Sequence, residues 1–250
     1  MPGHDPIPSL QRLQAIGRIR GQRGDGVTPG YELLLFDFDG TLVDTVEDIA
    51  FYANAVLSGL GFASCPIEQV KGAIGSGVHE LLKSLAPELA GDPDTLEEAV
   101  QLFKRRYREQ PIRKTKSFPG VVDMLSGPLS KVKKTIITNK PQDITLQILE
   151  SLNLKIYFDL VIGMHAGYPP KPDPESVLFT IRQFGADPRR CIYVGDSRVD
   201  AETSKNAGVD FAWVRYGYDR LGTEKRAYEF DNAGEWEALV RSEGSAPRTR

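Results

Sequence analysis

The chain has 250 residues and a formal net charge of −3, so it has room for one large domain or two smaller ones and carries no overall charge bias toward nucleic acid or an anionic membrane. Apolar residues make up 40% and charged residues 26%, ordinary for a globular protein, and no apolar run approaches the roughly 18 residues that a membrane span needs. Cys65 and Cys191 lie far apart with no CxxC neighbour, which argues against a disulfide framework or zinc site and for a cytoplasmic location.

Residues 1–29 are rich in Gly, Pro and Arg and lack the apolar stretch of a secretory signal. They read as a flexible extension, with an organelle transit peptide as the alternative. From Tyr31 the signals sharpen. Leu33-Leu34-Leu35-Phe36 reads as a buried strand, and Asp37 and Asp39 follow it two positions apart, just before Gly40-Thr41. Period-2 alternation points both carboxylates the same way at the strand's C-terminal end. Carboxylates that close repel and are costly to bury unpaired, so a cation or a shared proton is expected beside them.

A helix starts at Thr45 or Val46, where Thr45-x-x-Asp48 resembles a capping box, and Gly59 and Gly61 end it. Val78, Leu81, Leu82 and Leu85 mark a second helix, and Leu96 to Tyr107 a third, with Thr95 and Glu98 as its capping pair. Residues 46–116 therefore read as an inserted all-α module. Between the first two of these helices Gly75-Ser76-Gly77 is either a plain turn or a loop placed over a site. Lys104-Arg105-Arg106 with Arg108 reads as a solvated helix face, and His79 and His165 receive no role.

Beyond Phe118-Pro119-Gly120, strands at 135–138, 159–162, 191–194 and 211–214 alternate with helices near 144–152, 174–184 and 198–207. That pattern predicts a Rossmann-like α/β core, a parallel sheet covered on both faces, formed by 30–45 and 117–241 with a disordered tail at 242–250. Cys191 reads as core. The strand ends gather Asp37 and Asp39, then Thr138-Asn139-Lys140, then Lys171-Pro172, then Gly195-Asp196 with Asp200. Hard carboxylate oxygens suit Mg²⁺, and Thr and Lys donors suit an anionic group. Asp44, Asp196 and Asp200 each admit a plain N-cap role, and Asn139 and Lys140 either orient an anion or begin a helix.

These four motifs, in this order and at predicted strand ends, resemble those of haloacid dehalogenase superfamily phosphatases over roughly 31–240, and 46–116 is similar to the helical cap of one branch. The resemblance implies a Mg²⁺-dependent phosphomonoesterase. Asp37 would be the nucleophile, Asp39 the acid–base and Lys171 the catalytic cation. Thr138, Asn139, Gly75 and Ser76 would meet substrate, and Asp37, Asp39, Asp196 and Asp200 would form the metal site. Thr138-Asn139-Lys140-Pro141, the Gly75–Gly77 loop and Phe118–Val121 are most similar to the 2-phosphoglycolate phosphatases of that family. The implied partner is therefore a small phosphorylated metabolite. Pyrophosphatase, nucleotidase, phosphosugar phosphatase or mutase activity are the alternatives within the family, and a catalytically silent binding module is the alternative outside enzymes. Asp39 argues against dehalogenation, because a halide leaves without a proton. The sequence is silent on oligomeric state.

Overall fold

The computed structural model describes residues 30–240, so the expectations for 1–29 and 242–250 lie outside the described residues. A six-stranded sheet is formed by β1 (Leu33–Phe36), β4 (Lys133–Pro141), β5 (Leu160–Met164), β6 (Cys191–Gly195), β7 (Asp210–Val214) and β8 (Tyr228–Phe230). Its order is β5-β4-β1-β6-β7-β8, with every neighbour parallel. β1 is central, registering Leu33 with both Lys133 and Cys191.

An uninterrupted apolar run suits that position because both faces of β1 are covered. Leu33 and Leu35 pack with Val177 and Ile181 of α7 (Glu175–Phe184) and with Ala201 of α8 (Arg198–Ala207). Leu34 and Phe36 face the other way, onto Ile148 of α6 (Gln142–Ser151), Leu125 of α5 (Val121–Ser126) and Trp236 of a 3₁₀ segment at Ala233–Leu239. Cys191 is fully buried in β6, as expected, and burial pushes its thiol up to about 12.

Between β2 (Val43–Asp44) and β3 (Lys116–Ser117) the chain is helical: α1 (Val46–Gly59), α2 (Ile67–Ala73), α3 (Val78–Leu85), a 3₁₀ turn at Pro87–Gly91 and α4 (Pro93–Glu109). β2 and β3 pair antiparallel, so the chain leaves and re-enters the sheet layer through one two-stranded ribbon. That ribbon, α2, α5 and β8 had no clear sequence signal, being two to seven residues long.

Three local expectations are corrected. Thr45 and Asp48 form no capping box: the Thr45 hydroxyl donates instead to the Asp39 carboxylate, 2.6 Å away, a charged and therefore stronger acceptor. Asp48 accepts from the Arg113, Lys114 and Thr115 amides and the Thr115 hydroxyl at 2.6–3.1 Å, tying α1 to the strand that leads back to the sheet. α4 begins earlier than Thr95, at Pro93, because Asp92 caps it by accepting from the Thr95 amide at 3.1 Å. The 104–108 cluster is not a plain solvated face either. Lys104 is buried with its Nζ 3.2 Å from His165 Nε2, Arg106 donates to the Ala55 carbonyl, and Arg108 pairs with Asp143.

Candidate active site

Asp37 leaves β1 with its amide still donating to Val194 O, and the chain then turns at Gly40, where φ is +83°. A left-handed glycine suits this turn twice over: no side chain is strained, and a Cβ there would collide with the Asp196 carboxylate. Asp196 follows β6 and is fixed by the Thr41 hydroxyl (3.2 Å) and the Tyr218 amide (2.7 Å). Parallel strands bring these ends to one edge, which is where ligands bind in open α/β sheets.

Lys171 arrives from the segment after β5. Its Nζ lies 2.8 Å from Asp37 Oδ1, 2.6 Å from Asp200 Oδ1 and 3.0 Å from the Tyr193 hydroxyl, which itself donates to Ile137 O. Asp200 does two jobs. Oδ1 holds Lys171, while Oδ2 accepts from the Ser197 amide and hydroxyl in a true capping box at the start of α8.

Carboxylate oxygens of Asp37, Asp196 and Asp200 lie within 4.8 Å of one another, all buried. Three buried carboxylates face one ammonium, and within the described residues Asp37 Oδ1 accepts no hydrogen bond of ordinary geometry. Burial, then the charge of Asp200, raises the Asp37 carboxyl to about 7. Burial, then Asp200 and Asp37, likewise holds Asp196 well above the usual carboxylate range. Burial alone would lower the Lys171 ammonium, but Asp200 and Asp37 outweigh it and hold it well above its ordinary value. A cluster with this surplus of negative charge fits a hard cation, and its all-oxygen donors fit Mg²⁺.

Asp39 stands beside this centre. It accepts from Thr45 Oγ1 and from Lys140 Nζ, which also reaches the Tyr107 hydroxyl at 3.0 Å. A cavity at this edge is lined by Asp37, Asp39 and the buried Thr138, whose Oγ1 accepts from the Lys140 amide. The Asn139 side chain is fully engaged by main chain: Nδ2 donates to Gly75 O and Lys171 O, and Oδ1 accepts from Lys171 N. Gly75 and Gly77 line the cavity, whereas Ser76 is exposed and off its lining. His79 meets Glu97 on an exposed face.

Several participants escaped sequence reasoning. Tyr107 and Tyr193 sit at apolar positions of a helix and a strand and read as core. Tyr218 lies in a loop without pattern, yet its hydroxyl accepts from the Thr45 and Val46 amides and donates to Asp44.

A parallel sheet with a carboxylate at the end of its central strand, a buried lysine against it and further acids on the next strand end defines an α/β protein whose chemistry centres on aspartate. The sequence profile of haloacid dehalogenase-like hydrolases matches residues 34–214, and the chain belongs to that family. It is similar to phosphoglycolate phosphatases from Aquifex aeolicus (35% identity, over 77% of this chain and 88% of that one) and from Nitrosospira multiformis (35%, 79% and 88%). The fold matches that of a haloacid dehalogenase-like family protein from Streptococcus pneumoniae, with a TM-score of 0.76 at 22% identity over 84% of this chain and 99% of that one. No helix among the described residues is long and apolar enough to cross a membrane.

Proposed function

We propose that this chain is a Mg²⁺-dependent phosphomonoesterase acting through an aspartyl-phosphate on a small organic phosphate, with 2-phosphoglycolate as the substrate. The observation that carries the reading is the buried Asp37–Lys171 contact beside Asp196 and Asp39 at one sheet edge. The names of the relatives support the substrate.

Asp37 attacks phosphorus while the phosphorus–oxygen bond to the leaving group breaks, and Asp39 gives that oxygen its proton. Water then attacks phosphorus of the Asp37 acyl phosphate, Asp39 recovers a proton from that water, and the bond between phosphorus and the Asp37 carboxylate oxygen breaks to release inorganic phosphate. Lys171 offsets charge on the phosphoryl oxygens and on Asp37, and the Thr138 hydroxyl donates to one of those oxygens. Asp200 holds Lys171 in line. Asp37, the Asp39 carbonyl and Asp196 would hold Mg²⁺, with Asp200 supporting that shell directly or through water, and the ion when bound reduces repulsion between carboxylate and phosphate.

Residues 46–116 act as a cap on the 30–45 and 117–241 core, closing over the substrate and excluding water. The Gly75 carbonyl on Asn139 and Tyr107 on Lys140 support that closed arrangement. The enzyme works in the cytoplasm, a reading supported by two free cysteines. The test is phosphate release, with Mg²⁺ and with EDTA, from 2-phosphoglycolate, pyrophosphate, nucleoside monophosphates and sugar phosphates. Phosphoglycolate should lead in kcat/KM by about tenfold, equivalent to about 1.4 kcal/mol of barrier. Asp37→Asn should abolish turnover, and normal activity in that variant would sink the mechanism.

A further inference from the structure

We propose that Lys140 selects the leaving group: it is the cation that accepts a carboxylate carried by the substrate at the end opposite its phosphate. The inference rests on the phosphatase reading above and goes further by assigning specificity to one side chain.

The cavity over Asp37 and Asp39 has two unlike walls. The core side is polar, built from the acids and from 138–140. The helical side is apolar, built chiefly from Ile49, Ile74, Val78, Leu81 and Phe103. Among the described residues lining it, Lys140 is the one cationic side chain. Lys171 is already engaged by two carboxylates and Tyr193. A leaving group with its own negative charge, enclosed here, would therefore face hydrocarbon and two acids unless Lys140 met it. An unpaired charge in such a chamber is strongly disfavoured, so the wall rejects acidic leaving groups without this lysine and tolerates neutral ones either way.

Lys140 is suited to the task. Its side chain is 3% exposed, and its Nζ is shared between Asp39 on the core and Tyr107 on α4, at 3.1 Å and 3.0 Å. The ammonium also lies 4.5 Å from the Tyr107 ring centroid. An ammonium on a flexible stem carries three rotatable donors, so a rotation about its terminal bonds redirects a donor to an incoming carboxylate while the ammonium keeps its contact with Tyr107. A lysine serving only to offset the charge of Asp39 would affect every substrate alike, and that difference is measurable.

The test compares 2-phosphoglycolate with 2-hydroxyethyl phosphate, which has the same length but a neutral end. The readout is the ratio of their kcat/KM values in the wild type, Lys140→Met and Lys140→Arg. The wild type should favour the acid; Lys140→Met should lower the ratio at least about tenfold, and Lys140→Arg should keep it within about threefold. Lys140→Gln, which keeps a donor for Asp39, carries the same comparison should the methionine variant not fold. An unchanged ratio, with both substrates falling together, overturns the inference and confines Lys140 to Asp39. Equal kcat/KM values in the wild type overturn it too, while leaving the phosphatase reading intact. No phosphate release from any ester by the wild type with Mg²⁺ removes the phosphatase reading and the inference with it.

Discussion

Asn139 grips the main chain of Lys171 from both sides, with Oδ1 accepting its amide at 2.8 Å and Nδ2 donating to its carbonyl at 3.0 Å. The same amide group donates to Gly75 O across the boundary with the helical module. Asn139 is thus a positioning residue for the Lys171 ammonium and a tie to the loop above it.

Asn139→Ala removes all three bonds and leaves a buried amide and carbonyl to find new partners. Stability should fall by about 1–3 kcal/mol, read by urea unfolding. Turnover should fall by about ten- to a hundredfold, because Lys171 is no longer aimed at Asp37. Steady-state kinetics at saturating Mg²⁺ would show this as a loss in kcat larger than the change in KM.

Gly217 packs against Asp196, and a Cβ there would collide with the aspartate side chain and with the Gly40 carbonyl. Gly217→Ala should displace Asp196 and weaken apparent Mg²⁺ affinity by about ten- to a hundredfold. A Mg²⁺ titration of activity checks this, with far-UV circular dichroism expected to be unchanged.

Asp48 is 1% exposed and anchors Arg113–Thr115 to α1. Burial raises its carboxyl, but the Thr115 hydroxyl and the three amides outweigh that and hold it below the ordinary 3.8. The ionised form is therefore the stabilising one. Its contribution is full above the unfolded-state value and is lost as pH falls through the lowered folded value. Asp48→Ala should cost about 3 kcal/mol near pH 7. The gap between the two unfolding curves should stay constant down to about pH 4 and narrow below it.

His165 accepts from the buried Lys104, joining the loop after β5 to α4. Burial, then the charge of Lys104, lowers the ring below its usual 6.5. The neutral ring is the one that fits, so this contact is complete above about 6.5 and fails as pH falls below it. His165→Gln keeps an acceptor that does not titrate. The melting temperature of the wild type relative to this variant should therefore be flat above about pH 7 and decline as pH falls below about 6.5.

Much of the site was legible because each motif residue follows a short apolar run. Asp37 and Asp196 follow the ends of buried strands and Thr138 lies in the last residues of β4, which runs on to Pro141, so the three come to one edge once the strands are known to be parallel. Lys171 was placed by its position before Pro172, whereas its partners were not. Thr45 and Asp48 matched a local capping pattern that distant acceptors and donors overrode. Ser76 shares a tripeptide with two glycines that line the cavity but is itself exposed and off that lining. The tyrosines were hidden because an aromatic ring at an apolar position signals burial and says nothing about where its hydroxyl ends.

What the sequence by itself determined is the alternation of strands and helices, the helical stretch after β1, and the residue types at each strand end. These follow from periodicity and turn chemistry, which act over a few residues. Only the tertiary structure decided that Lys171 lies between Asp37 and Asp200, that Lys140 bridges Asp39 and Tyr107, and that Asp48 closes on residues 113–115. Each of those contacts joins groups far apart in the chain, and their geometry is set by sheet order and side-chain direction, which local pattern does not encode.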